Sequence, residues 1–272
     1  MDVKALALEL QQAREQRRPL AVPFSAREPD FDLATGYAVE AELRRGRLAS
    51  GRRTVGLKAG YANKAVWRAL KLDTLVWGHL YDDTVVHATG DAATLAVGRM
   101  CTPKIEPEIV FKLRLPIDLG DLAPAAVLGA VEWLALGFEI VDCPFPDWAF
   151  QPADFVAAYG FHAALVIGTP HPVDAATIPS LVERLTTFPL QLRKHGEIAA
   201  EGSGRNVLRS PALCLAELAR AVATRPGEAP LAAGDLVSTG SLTEPQEVAP
   251  GDTWSAHAEG LGLPDLSLRA TA

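Results

Sequence analysis

The 272-residue sequence is short of basic charge: 26 Lys and Arg stand against 33 Asp and Glu, a formal net charge of −7. Phosphate backbones are bound by clustered Lys and Arg, so this balance argues against a nucleic-acid partner. The one basic cluster, RRGRLASGRR at 44–53, reads as a solvated helix end and loop. Long apolar runs are missing too. The most apolar stretch, VLGAVEWLALGFEIV (127–141), is broken by Glu132 and Glu139 and is too short to span a bilayer, so no membrane partner is expected. MDVKALALEL at the start carries Asp2, Lys4 and Glu9 where a signal peptide would be apolar. Cysteine is scarce. Cys101, Cys143 and Cys214 are odd in number and far from zinc or redox spacings, which suits reduced, buried thiols in a cytoplasm. Internal repeats and low-complexity segments are absent.

What remains is an ordinary globular composition, 49% hydrophobic and 22% charged, enough for one large domain or two modest ones. The first 18 residues read as a helix, with Asp2 as N-cap and Val3, Leu6, Leu10 and Ala13 on one face. Pro19, Pro23 and Pro29 punctuate a linker, and FDLATGYAVEAELRR supplies a second helical pattern ending at Gly46. Residues 1–52 thus form a small helical N-terminal region, and 53–272 a strand-rich body. Strands are expected near 53–58, 104–115, 137–143, 162–168, 188–200, 235–240, 252–260 and 265–270. Helices are expected near 62–71, 122–136, 153–159 and 211–224. Irregular alternation with hairpins, such as a turn at His195-Gly196, predicts an α+β fold rather than a doubly wound parallel sheet.

One strand poses a chemical question. In KIEPEIVFKL (104–113), Ile105, Pro107, Ile109, Phe111 and Leu113 alternate, so Glu106 and Glu108 share the opposite face. Two carboxylates about 6 to 7 Å apart repel by roughly 2 to 3 kcal/mol at an effective dielectric near 20. Open water, a proton, a basic partner or a divalent cation would each relieve this. Lys104, Lys112 and Arg114 have the same parity, so a solvated face with ion pairs is one reading and a hard-cation site another. Glu139 lies between Phe138 and Ile140 and needs a partner of its own. Together the three glutamates would offer three oxygen ligands to Mg²⁺ or Mn²⁺.

Five segments in this order and spacing resemble the fumarylacetoacetate hydrolase superfamily, in its 2-keto-4-pentenoate hydratase and oxalocrotonate decarboxylase branch. They are VGLKAGYANKAVWRAL (55–70), KIEPEIVFKL, GFEIVD followed by DW (137–148), EGSGRNVLRSPALCLAELA (201–219) and GDLVSTGSLTEPQEVAPGDTWSAHAEGLG (234–262). The resemblance covers nearly the whole chain. It implies a mixed β-roll body, a homo-oligomer, and Mg²⁺ or Mn²⁺ held by Glu106, Glu108 and Glu139. It assigns the active-site lysine to Lys58, which near a bound 2-oxo acid would stabilise enolate charge or move protons. It also makes Thr239, Gly240 and Ser241 substrate-carboxylate contacts.

The chain departs from the family pattern in three places. Val76 stands where hydratases of this branch carry an acidic residue, in a stretch read here as a loop, LVWGHLYDD. Cys143-Pro144 replaces Ser-Arg, and Ala158-Tyr159 replaces Asp-Asn. His79 and His162 fall near these places and are candidate replacement proton carriers. Trp77 is a candidate substrate contact. The activity implied is a metal-dependent lyase of a 2-oxo acid or dienol, hydratase-like, in catabolism of aromatic or related compounds. The apolar Val76, Trp77, Pro144 and Phe145 favour as alternative a C-C hydrolase or decarboxylase of a 2-oxo or 1,3-dicarbonyl substrate. A noncatalytic binding module is the remaining alternative.

Overall fold

A computed structural model describes residues 1–272. Three helices open the chain: α1 (Val3–Gln16), α2 (Phe24–Arg27) and α3 (Leu33–Ala49). The Asp2 carboxylate caps α1 by accepting from the Lys4 and Ala5 N–H groups, and Asp32 caps α3 by accepting from Thr35. The expected stop of the second helix at Gly46 falls three residues short, because Gly46 is exposed and a helix tolerates glycine there at modest cost.

The body follows as β1 (Thr54–Gly60), α4 (Lys64–Leu70), β2 (Val76–Tyr81), β3 (Val85–His87), β4 (Ala92–Ala96) and β5 (Pro103–Leu113). Then come α5 (Pro124–Gly129), β6 (Val131–Asp142), α6 (Pro152–Ala157), β7 (His162–Ile167), β8 (His171–Pro172) and α7 (Ile178–Thr187). The chain closes with β9 (Pro189–Lys194), β10 (Glu197–Ser203), α8 (Pro211–Ala223), β11 (Leu236–Ser238), β12 (Gln246–Glu247), β13 (Thr253–Ala258) and β14 (Leu266–Thr271).

Nine strands form a mixed sheet in the order β2-β1-β11-β5-β6-β7-β3, with β12 also on β5 and β8 on β6. Five more form a second sheet, β10-β9-β13-β14-β4. The fold is therefore α+β with mixed sheets, and the His195-Gly196 hairpin joins β9 to β10 with φ of 52° and 88°, the left-handed pair that a tight turn requires.

Three expectations are corrected. The helix at 122–136 is only the short α5, after which β6 begins at Val131. β6 lies between β5 and β7 and is buried on both faces, so it reads as a continuous apolar run without strand alternation. LVWGHLYDD is not a loop but carries β2, every residue of which is buried. Helix α7 stands where no helix was expected.

The N-terminal helices do not have a core of their own. Leu6, Leu10, Phe24, Phe31 and Tyr37 belong to one hydrophobic cluster of 71 buried residues that also holds Trp77, Phe145, Phe161 and Leu215. Helix α3 crosses α6 closely because Gly36 has no Cβ: one placed there would stand 2.4 Å from the Ala153 carbonyl oxygen. This packing seats α6 and the turn after it, residues 158–161, over one face of β1 and β2.

Candidate active site

The antiparallel pairing of β5 with β6 sets Glu106 directly across from Glu139 and Glu108 across from Gly137. Carboxylate oxygens of the three glutamates lie within 4.8 Å of one another. Glu108 and Glu139 are fully buried and Glu106 is half-buried, so the face is not the solvated one that the charges of Lys104, Lys112 and Arg114 allowed.

Each carboxylate is held from behind. Oε2 of Glu108 accepts from the Ser238 hydroxyl at 2.5 Å and from the Gly240 N–H at 2.8 Å. Gly240 has φ of +100°, and a Cβ there would stand 2.8 Å from that of Ala62, so glycine lets the backbone turn its N–H onto the carboxylate. Oε1 of Glu139 accepts from Nδ1 of His162 at 2.9 Å, and Nε2 of His162 faces the Thr84 hydroxyl at 2.9 Å. Oε2 of Glu139 lies 3.0 Å from Nζ of Lys58, a charge contact without hydrogen-bond geometry. Lys58 itself is buried at the end of β1 and donates to the Gly160 carbonyl at 2.9 Å.

The electrostatics are those of an under-neutralised site. Burial, with the neighbouring Glu139, raises the Glu106 carboxyl to about 7 despite Lys58. Burial and the two other carboxylates push Glu108 well above the carboxylate range. Burial alone would raise Glu139 also, but Lys58 and His162 hold it below its usual value. Burial favours neutral Lys58, yet the three carboxylates outweigh it and keep the ammonium charged. Burial pushes the His162 imidazole down against the pull of Glu139.

These residues fit a divalent cation. Once ionised, the three carboxylates exceed the one ammonium by two negative charges, and buried Oε1 of Glu108 has no hydrogen-bond partner. An all-oxygen donor set of this charge suits a hard ion such as Mg²⁺ or Mn²⁺.

A cleft of about 620 Å³ opens in front of the cluster. Of the candidates named from sequence, Lys58, Glu106, Gly240 and Ser241 line it. Ser241 is already engaged, donating to the Thr243 carbonyl at 2.7 Å. Thr239 is buried with its hydroxyl donating to the Ile109 carbonyl and its own carbonyl accepting from the Cys214 thiol, so it shapes the turn without lining the cleft. His162 stands behind Glu139 rather than in the cleft.

His79 and Trp77 are not brought to the carboxylates. Because β2 is a strand, its side chains alternate: Gly78 pairs with Lys58, whereas His79 pairs with Leu57 and Trp77 with Ala59 on the other face. His79 there contacts Glu40 at 2.8 Å and Arg44 at 2.6 Å, and Trp77 packs on the Tyr37 ring at 4.9 Å. Val76 and Gly78 are on the opposite face of the strand, Val76 beside Gly60 and Gly78 against the Tyr159 carbonyl, and Val76 does not itself line the cleft. Pro144 and Phe145 also lie outside the cleft lining. Ser238 was missed from sequence, although it directly precedes the quoted Thr239-Gly240-Ser241. The Gly160 carbonyl and the rings of Phe150, Phe155 and Phe161 carried no signal, and Tyr61 and Trp148 fell within quoted segments with no role assigned.

Residues 75–265 match the profile of the fumarylacetoacetate (FAA) hydrolase C-terminal family. The chain belongs to that family. Over 256 residues it is 31% identical to a 2-keto-4-pentenoate hydratase of Paraburkholderia xenovorans (strain LB400), covering 94% of this chain and 91% of the relative. It is 30% identical over 233 residues to a 4-oxalocrotonate decarboxylase of Pseudomonas sp. (strain CF600), covering 86% and 84%. Among solved structures, 4-oxalocrotonate decarboxylase from Pseudomonas putida G7, complexed with magnesium and adipate, matches with a TM-score of 0.84. That match spans 98% of this chain and 97% of the other at 28% identity. This member of the fumarylacetoacetate hydrolase family thus has the mixed-sheet fold of that structure. No helix is long and apolar enough to cross a membrane.

Proposed function

We propose that the protein is a divalent-metal-dependent lyase that hydrates a 2-oxo acid in its dienol form, with Glu106, Glu108 and Glu139 holding the cation. The observation that carries this reading is the buried cluster of three carboxylates with Lys58 at the head of an open cleft. A cation bound there would supply a Lewis acid that draws charge from the oxygens of a 2-oxo acid. Lys58 is fixed by Gly160 and Glu139, so its ammonium offers a positive charge that needs no reorganisation as the enolate charge develops. His162 keeps Glu139 oriented, and the Gly240 N–H and Ser238 hydroxyl keep Glu108 oriented. Gly240 and Ser241 form the cleft wall nearest that carboxylate.

A second reading, decarboxylation or C-C cleavage of a 2-oxo or 1,3-dicarbonyl substrate, is supported by one observation. Val76, buried beside Gly60 on the face of β2 turned toward the site, stands where hydratases of the branch it resembles carry an acid, which leaves enolate stabilisation in place but removes a proton-transfer group. Incubating the Mg²⁺-loaded protein with 2-hydroxypenta-2,4-dienoate and with 4-oxalocrotonate separates the two readings. Loss of dienol absorbance with formation of a hydroxy-oxo acid supports hydration; release of CO₂ from the dicarboxylate alone supports decarboxylation.

The three free cysteines, two of them buried, fit a reducing compartment, and we place the enzyme in the cytoplasm. Self-association into a homo-oligomer is the expectation from the family resemblance, and light scattering on the purified protein tests it.

A further inference from the structure

We propose that the outer part of the cleft selects substrates with an uncharged, planar tail, alkenyl or aryl, and discriminates against a second carboxylate. This rests on the reading above that the 2-oxo acid head lies at the glutamate cluster.

A run of rings in mutual contact leads outward from Phe155, whose centroid lies 5.0 Å from the Lys58 ammonium, to the half-exposed Tyr61, Trp148 and Phe150. Phe161 stands 4.5 Å from Phe150, 5.0 Å from Phe155 and 5.8 Å from Trp148 between centroids, and Tyr61 stands 5.2 Å from Phe155. Tyr61, Trp148 and Phe150 remain half-exposed toward the cleft, so part of each ring face has no protein partner. Tyr61, Trp148 and Phe161 also hold φ of 56°, 54° and 59°, a left-handed backbone that non-glycine residues adopt at a cost and that clusters at ligand sites. The Trp67 indole N–H, donating to the Tyr61 carbonyl at 2.7 Å, fixes the first of these. Such a wall suits a flat apolar group by stacking and edge contacts.

Charge on the remaining walls points the same way. Lys58 is the only cationic side chain lining the cleft, and it is committed to Glu139 and Gly160. Glu201 and Glu244 line the mouth, both exposed, so a carboxylate on the tail would meet two like charges and no counter-ion. Lys104 packs its ammonium 4.1 Å from the Trp148 ring centroid and does not line the cleft.

Calorimetric binding to the Mg²⁺-loaded protein tests this with four 2-oxo acids that carry no alkene: pyruvate, 2-oxohexanoate, 2-oxoadipate and 2-oxo-4-phenylbutanoate. The expected result is 2-oxo-4-phenylbutanoate at least tenfold tighter than 2-oxoadipate, with 2-oxohexanoate also tighter than 2-oxoadipate. In the double variant Glu201→Gln, Glu244→Gln the ratio of 2-oxohexanoate to 2-oxoadipate affinity should shrink at least threefold, and Phe150→Ala should shrink the advantage of the phenyl tail. Binding of 2-oxoadipate as tight as 2-oxohexanoate, or its loss in Lys104→Met, overturns the tail assignment while pyruvate binding keeps the head assignment. Failure of all four to bind in the presence of Mg²⁺ overturns the head assignment and the tail assignment with it.

Discussion

Glu106 on β5 and Glu139 on β6 are direct cross-strand partners, yet one opens to the cleft and the other is sealed behind it by Lys58 and His162. Like charges opposed in a sheet are destabilising. Their survival here marks a site in which something else supplies positive charge, and the predictions below follow from that relationship.

Glu106→Gln replaces an anionic oxygen ligand with a neutral amide at the exposed edge of the cluster. Mg²⁺ affinity should fall at least tenfold, about 1.4 kcal/mol, with activity falling in parallel. Isothermal titration of the variant beside the parent protein measures it, and unchanged affinity removes Glu106 from the ligand set.

Lys58→Met keeps the aliphatic stem and deletes the charge. Turnover should drop at least tenfold, roughly 1.4 kcal/mol of barrier. Metal affinity should hold or rise, because the ammonium 3.0 Å from Glu139 competes with the cation for that carboxylate. A variant with full turnover would leave the ammonium no chemical role.

The stability of the metal-free protein should depend on pH with a particular sign. Glu106 and Glu108 have pKa values raised on folding, to about 7 for Glu106 against an ordinary 4.5. Folding therefore takes up protons, and the stabilisation is complete below the ordinary carboxylate range and lost as pH rises through about 7. Glu139, held low, acts in the opposite sense only at more acid pH. His162, pushed down by burial, opposes the trend up to its ordinary 6.5, so two raised carboxyls act against one depressed imidazole within the interval. Thermal melts without metal should thus lose stability between about pH 5 and about pH 8, and saturating Mg²⁺ should flatten the trend. A metal-free protein that gains stability over that interval contradicts the electrostatic account.

His79→Ala and His162→Leu should separate cleanly. His79 removal takes the hydrogen bond from the buried Glu40 carboxylate, leaving it only the Arg44 guanidinium 3.9 Å from Oε2, and should cost about 1 to 3 kcal/mol of stability with Mg²⁺ affinity unchanged. His162 removal takes the hydrogen bond from Glu139 and should weaken Mg²⁺ binding, with partial rescue by His162→Asn. Melting curves and metal titrations on both variants check the contrast.

Much of this was legible in the sequence, for specific reasons. Strand β5 has one face apolar, so its period of two placed Glu106 and Glu108 together, a charge between Phe138 and Ile140 singled out Glu139, and the resemblance supplied Lys58. Strand β6 defeated the same reasoning because both its faces are buried and the alternation vanishes. Reading β2 as a loop had a larger consequence. In a loop His79 sits beside Val76 and can share its role, whereas in a strand the odd-numbered Trp77 and His79 point away from the side that Val76 and Gly78 face. The aromatic wall comes from positions 61 to 161 on separate segments and has no spacing to detect. The Gly160 carbonyl that anchors Lys58 is a backbone group, invisible to any residue pattern.

The central claim is that Glu106, Glu108 and Glu139 hold one divalent cation at the head of the cleft. Anomalous diffraction from crystals loaded with Mn²⁺ tests it most directly. The account predicts a single strong peak coordinated by oxygens of all three glutamates, with Lys58 still beside Glu139. A peak at other residues, or none at the three glutamates under saturating Mn²⁺, would contradict it.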